Sequence, residues 1–280
     1  MMDRYSLLEK IGLYIAIGIF LIFILLPFFE MFMTSLRPLD HLRSAPYKFW
    51  SDEFSFDAYS SMWVTVPKLG RYIFNGVFIA GAVTVLAMIF IIPAAYAFAR
   101  FEFRGKALTL SLFLAVNMFA GAVLLIPLYR VLRTLGLLNT YFAMIIPGAA
   151  FLVPMGIWLL KSYLEKIPKE LEEAAYVDGA SKMYTLRRVM LPLAGPGLVV
   201  VGVSVFIGAY AQQYLFAITF NQNSDYMPLP AGVFEFIGYQ DVVWNEMMAA
   251  SLVGVLPVML IFLFMQRFLI AGLTAGAIKE

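Results

Sequence analysis

Long apolar runs alternate with short charged segments along this chain. Six apolar stretches stand out: Ile11 to about Leu36, Ile73 to Ala99, Ala107 to Tyr129, Leu137 to Leu160, Leu191 to Phe220 and Met247 to Met265. All but the first are free of charged side chains. A helix needs about 20 mostly apolar residues to cross a bilayer, and each stretch meets that length, with tilt in the longer ones. Inside lipid only helices and closed barrels satisfy their own backbone polar groups. Barrel strands run about 10 residues with alternating polarity, and these runs show neither property. The pattern predicts an all-α membrane protein with six transmembrane helices. The first stretch is too long for the core of a signal peptide, and no small-residue cleavage site follows it. It reads as a retained span with Glu30 at the outer interface.

Short-loop Lys and Arg favour the cytoplasmic side. With the amino terminus inside, the inside segments hold 13 of these residues and the outside segments 7. The segment from Asn221 to Glu246 has no Lys or Arg and four acids, Asp225, Glu235, Asp241 and Glu246, which suits the outside. Both termini are therefore expected in the cytoplasm, although Arg130 and Arg133 pull the other way. Two outside segments are long enough to carry structure. Arg37 to Arg71 is rich in aromatic residues, among them Tyr47, Trp50, Phe54, Tyr59 and Trp63, and reads as an interfacial aromatic belt. Asn221 to Asn245 carries Pro228, Pro230, Phe234, Phe236, Tyr239 and Trp244 and is a candidate contact for an external protein.

Composition agrees with membrane residence and removes several chemistries. Of 280 residues, 62% are apolar and 14% charged, against roughly 45–50% and 25% in soluble domains. There is no cysteine, so disulfides, thiolate metal sites and thiol catalysis are excluded. The lone histidine, His41, leaves no His-based metal cluster. Neither catalytic nor metal-ligating residues are assigned. An intramembrane enzyme would need a catalytic dyad at membrane depth, and no such constellation is visible. Embedded ionisable residues usually mark proton or ion relays, and spans two to six contain none, which argues against a proton-coupled carrier. No phosphate-binding Gly-x-x-x-x-Gly-Lys-Ser/Thr run is present. Energy for any transport must then come from a separate chain. The net charge of +2 points to no nucleic acid.

One loop differs from everything around it. Between Glu165 and Pro192 stand five acids and five bases, so this segment lies outside the hydrocarbon. Pro168 fits a first helical turn, where its missing N–H costs nothing. Glu170, Glu172 and Glu173 follow where the helix dipole favours acids. Gly179 can end that helix in the left-handed conformation. A second short helix is predicted from about Lys182 to Met190, with Arg187 and Arg188 near its end, and Pro192 starts the fifth span. Ala174 and Ala175 are small enough to let another surface approach closely. The loop, residues 163–192, reads as a rigid docking element held at the membrane surface.

Its spacing is specific. Glu173-Ala174-Ala175, three residues, Gly179, nine residues, Val189, one residue, then Leu191-Pro192 resembles the signature loop of permease subunits of binding-protein-dependent ABC importers. Val189 stands where that family usually has Ile. The six spans, the long first outside segment and the ending Gly272-Leu-Thr-Ala-Gly-Ala-Ile-Lys279 resemble the maltose-type carbohydrate uptake group, and within it the shorter permease.

The resemblance implies a type I ABC importer permease fold in a bacterial or archaeal cytoplasmic membrane. It implies a first segment over 1–70, a permease domain over 71–270 and a cytoplasmic tail over 271–280. It implies a second, related permease, two ATPase subunits that hold ATP and magnesium, and an extracytoplasmic solute-binding protein. Glu173, Ala174, Ala175, Asp178, Gly179, Leu191 and Pro192 are then the ATPase-coupling residues. The tail from Gly272 enters the ATPase interface, and Asn221 to Asn245 reaches the binding protein. This chain binds no cofactor of its own. The expected cargo is a sugar, or alternatively a polyol, glycerol phosphate or acidic sugar derivative. Polar groups on the spans, Asn117, Tyr210, Gln212 and Gln213, suit either a sugar path or hydrogen bonds between helices, the latter being common in membranes.

Overall fold

A computed structural model of the chain describes residues 7–43, 53–118, 121–238 and 241–274. Within these, side chains are described except at 116–118, 121–122 and 267–274. The described chain is helical: α1 Leu7–Leu36, α2 Leu39–Arg43, α3 Asp57–Thr65, α4 Leu69–Arg100, α5 Lys106–Met118, α6 Gly121–Thr134, α7 Phe142–Leu164, α8 Glu170–Val177, α9 Lys182–Thr185, α10 Leu191–Leu193, α11 Gly195–Phe220, α12 Leu229–Gly232 and α13 Trp244–Thr274. A π-helical turn, Leu186–Met190, joins α9 to α10. Among the described residues five helices are long and apolar enough to cross a membrane: α1, α4, α7, α11 and α13 over Trp244–Gln266.

Within the third apolar stretch the structure describes α5, of 13 residues, and α6, of 14, with residues 119–120 outside the described set. Pro127 removes a backbone donor inside α6. The fourth helix starts at Phe142 rather than Leu137 because the chain first turns through two left-handed residues, Gly136 (φ 68°) and Asn139 (φ 59°). The fifth starts at Gly195 rather than Leu191. Pro192 and Pro196 both lack an N–H, so the helix is interrupted at Ala194 between them.

The chain falls into two compact units, Met1–Leu69 with Val233–Gly254, and Gly70–Gly232 with Val255–Glu280. In the first, Glu30 accepts from Arg37 Nη1 at 3.0 Å, and Ser35 shares a hydrogen bond with Tyr59 at 2.8 Å. The backbone of Ser55 donates to Leu36, and Arg43 pairs with Asp241. An isolated antiparallel bridge joins Ile237 and Val242.

The second unit holds the larger core. One face of α4 is buried at Tyr72, Asn75, Ile79, Val83, Ala87, Ile91 and Ala95, a spacing of three and four residues, while Phe74, Phe78, Val85, Ile89 and Phe90 point outward. Lipid is as apolar as these side chains, so helices pair through close packing and hydrogen bonds rather than through exclusion of water. Small residues supply the closeness. A Cβ on Gly156 of α7 would stand 2.3 Å from Ile91 of α4, and one on Gly148 would stand 3.1 Å from Val83. Tyr141 meets Asn75 near the start of α4, and Ile167 meets Arg100 at its end. At all four places the partner lies 65–67 positions later in the chain. The two helices therefore run parallel and in one register. α11 packs antiparallel on α7, with Gly208 against Leu152 and Gly197 against Tyr163.

Candidate docking surface

The charged loop folds as two short helices around a tight turn. Pro168 precedes the N-cap, Lys169, and the carboxylates of Glu170, Glu172 and Glu173 sit in the first turn of α8. The helix ends on Gly179 at φ 84°. Ala180 donates back to Ala175 at 2.9 Å and Gly179 to Tyr176 at 3.0 Å, the paired bonds of a Schellman cap. Nothing lies within 4 Å of a Cβ placed on Gly179. Glycine is required there by the backbone angle alone. Ser181 caps α9 by accepting from the Tyr184 N–H. The predicted helix to Met190 is only partly α-helical: at Leu186 the ladder widens, and Leu191 donates to Leu186. Pro192 has no donor for the next bond, so the π turn takes up the mismatch in the ladder.

The loop presents an apolar and polar surface to the surroundings. Glu173, Ala174, Asp178, Gly179 and Pro192 are exposed, and Ala175 and Leu191 half-buried. Val177 is 87% exposed and Tyr184 56%, a large apolar display for a segment with ten charges. Between the two short helices lies a hollow of about 610 Å³ lined by Ala175, Asp178, Gly179, Ala180, Ser181, Tyr184 and Val189. The structure thus gathers Ala175, Asp178 and Gly179 on one concave surface, and Leu191 and Pro192 stand apart from it at the entry to α11.

Glu172 lies on the opposite, inward side. It is 5% exposed. Its carboxylate pairs with Arg100 at the end of α4 and accepts from the Tyr96 hydroxyl at 2.9 Å. Arg100 Nη2 also donates to the Ile167 carbonyl at 2.8 Å, and Tyr96 shares a bond with Tyr176 at 3.2 Å. The ammonium of Lys182 rests 4.7 Å over the Phe101 ring. The docking loop is therefore locked to α4 through a buried charge pair. Sequence reasoning missed Glu172 because its partner lies 72 positions away. The available signal was helical phase: Glu172 shares a face with the half-buried Ala175, whereas Glu173 does not.

The polar residues on the spans separate. Gln213 is buried and donates to the Gly76 carbonyl at 2.8 Å, and the Tyr210 ring lies 3.1 Å from a Cβ on Gly76. Both join α11 to α4. Gln212 is exposed on another face. The side chain of Asn117 lies outside those described.

The amino-terminal end of α4 has its own anchor, which the sequence reading did not single out. Asn75 is fully buried. Its amide donates to the carbonyls of Asp225 and Met227 at 3.0 and 2.9 Å, and its oxygen accepts from the Tyr141 hydroxyl at 2.8 Å. Arg71 Nε donates to the Asp225 carbonyl at 2.9 Å, and its guanidinium stands 3.6 Å from the Asp225 carboxylate. A Cβ on Gly232 would lie 2.2 Å from the buried Tyr72 ring. Asn221 and Gln222 are tied to the α6–α7 turn through Thr140 and Asn139. An uncharged polar residue within an apolar run was the signal, the same one that singled out Asn117.

Among the described residues no group of three or more His, Asp or Glu side chains is placed to hold a metal ion.

Residues 87–274 match the family described as "Binding-protein-dependent transport system inner membrane component". The chain is 35% identical over 277 residues to the inner membrane ABC transporter permease protein YcjP of Escherichia coli, covering 97% of each chain. It is 34% identical to the sulfoquinovosyl glycerol transport system permease protein SmoH of Agrobacterium fabrum, covering 95% of this chain and 93% of that one. It is 36% identical to the trehalose/maltose transport system permease protein MalG of Thermococcus litoralis, over 74% of this chain and 75% of the relative. In fold it is similar to a chain of a bacterial ABC transporter involved in import of the acidic polysaccharide alginate, with a TM-score of 0.77, 23% identity and coverage of 95% of this chain and 99% of that one.

Proposed function

The chain belongs to the family of inner membrane components of binding-protein-dependent transport systems, and from that premise we propose how it works within an ATP-driven sugar importer. It is a transport subunit, a permease, and not an enzyme. Its cargo is a sugar or sugar-like solute, in keeping with relatives named for trehalose, maltose and sulfoquinovosyl glycerol. It pairs with a second permease, two ATPase subunits carrying ATP and magnesium bind below, and a solute-binding protein docks outside.

The observation that carries this reading is the exposed α8–Gly179–α9 surface locked by Glu172 to α4. A docked ATPase would meet Glu173, Ala174, Ala175, Asp178 and the hollow beside Gly179. Its movement would pass through a buried ion pair into a membrane helix. Leu191 and Pro192 carry the same movement into α11. Outside, the segment from Asn221 meets the binding protein. Six spans follow if α5 and α6 together form the third, with both termini cytoplasmic, residues 71–270 as the permease domain and the tail beyond Gly272 at the ATPase interface. Gln213 and Tyr210 act first as inter-helix contacts, and the exposed Gln212 is the better candidate for cargo.

The test is reconstitution of this chain with its partner permease, ATPase and binding protein in vesicles. ATP hydrolysis is measured with and without loaded binding protein. Stimulation by the loaded form is expected. An intact complex that hydrolyses ATP at the same rate in both conditions rejects the importer.

A further inference from the structure

We propose that Asn75 is a positioning residue that makes α4 a strut between the two docking surfaces of this chain. The proposal rests on the importer reading and adds a residue and a route to it. The route is a single helix. At its inner end Tyr96 and Arg100 hold Glu172 of the ATPase-facing loop. At its outer end Asn75 holds the backbone of Asp225 and Met227 in the segment that faces the binding protein. Twenty-five residues of helix separate Asn75 from Arg100, about 38 Å at the helical rise. That is the thickness of a membrane with part of its headgroup layers.

Three features make the outer end a clamp rather than a chance contact. Asn75 uses both amide hydrogens and its oxygen, and it is fully buried, so no water competes for these bonds. Its targets are main-chain carbonyls, so it fixes the path of the segment and not one side chain. Its third partner, the Tyr141 hydroxyl, belongs to the start of α7, and the Tyr141 ring meets Tyr226 of the same segment edge-on at 4.9 Å. The segment is thus held at once to α4 and α7, the two helices that run parallel in one register. Tyr72 adds a steric stop against Gly232 at the far end of the segment.

Between the ends, Pro93 takes one backbone hydrogen bond out of α4, and packing on the buried side holds the helix against α7. Val83 and Ile91 sit against Gly148 and Gly156 of α7 with no room for a Cβ at the latter. Movement of the outer segment is then carried as movement of the helix pair, and the inner end delivers it to α8. Coupling of this kind requires that both sites bias one element with two arrangements. The strut names that element and the residues at which each site grips it.

The experiment uses the assembled importer in vesicles. Asn75→Leu keeps the branched shape and the number of heavy atoms and removes every polar contact. It is expected to leave basal ATP hydrolysis and assembly intact while cutting stimulation by loaded binding protein about tenfold, within the usual span of site-to-site coupling. Tyr141→Phe removes one bond only and should cut stimulation about twofold; it decides the matter if Asn75→Leu does not assemble. The chain has no cysteine, so a single spin label on Val177→Cys reports the loop alone. Loaded binding protein should shift that label in the parent protein and not in the Asn75→Leu variant. Wild-type stimulation and a wild-type label shift in the variants overturn the strut while the importer stands. A parent complex that ignores loaded binding protein overturns the importer reading, and the strut with it.

Discussion

The two ends of the second unit solve the same problem with different chemistry. At one, a buried charge pair, Arg100 with Glu172, holds the α8–α9 loop, and the sharp turn is a glycine. At the other, a buried neutral amide, Asn75, holds the segment, the charge pair Arg71–Asp225 is about half exposed, and an asparagine, Asn139, joins Gly136 in the left-handed turn. Asn139 tolerates its positive φ because its side chain is put to use: its oxygen accepts from the Gln222 N–H at 2.7 Å. The difference teaches where strength is concentrated. A buried pair is strong only while both partners are present, because a lone buried charge is costly. A buried amide bonded to backbone fixes geometry without that risk. The inner end is built to fail abruptly, the outer end to weaken by degrees.

That contrast is broken most directly at Glu172. Glu172→Ala leaves Arg100 buried without its carboxylate and should cost about 3–5 kcal/mol. Thermal unfolding in detergent reads the loss, and protease sensitivity between Lys161 and Arg188 shows that the loop has come free. A melting temperature equal to the parent's contradicts a buried lock. Next in size is Gly179→Val, which forces a β-branched residue to φ 84° at about 1–2 kcal/mol. Because nothing crowds that position, the damage is to the shape of the docking surface, and co-purification of the ATPase should fall more than stability does. Asn139→Gly keeps the left-handed turn and loses one hydrogen bond, about 1 kcal/mol. Hydrogen exchange at Gln222 should rise several-fold while exchange at Ala180 stays unchanged. The smallest effect belongs to Arg71→Ala, under about 1 kcal/mol for so exposed a pair; a melting shift as large as that of Glu172→Ala abolishes the distinction between the ends.

The sequence made some of this legible and hid the rest for physical reasons. The α8–Gly179–α9 turn could be read because its signals are local: Pro168 and acids in a first turn, and a glycine at the end. The five long spans could be read because lipid imposes length and apolarity directly. Glu172 and Asn75 escaped because each acts across the fold, with partners 66 to 152 positions away. Three glutamates within four positions look alike until the facing helix chooses one of them.

The constant offset between α4 and α7 sets how this protein tolerates change in chain length. The loop between Arg100 and Lys106 can lose or gain residues without disturbing the pairs Asn75–Tyr141 and Ile91–Gly156 relative to each other. A single residue inserted inside α4 cannot be absorbed in that way. It would turn everything beyond it by about 100° around the helix axis. An insertion between Val83 and Ile91 would leave the outer grip in phase and swing Arg100 away from Glu172. Length is negotiable between the helices and fixed within them.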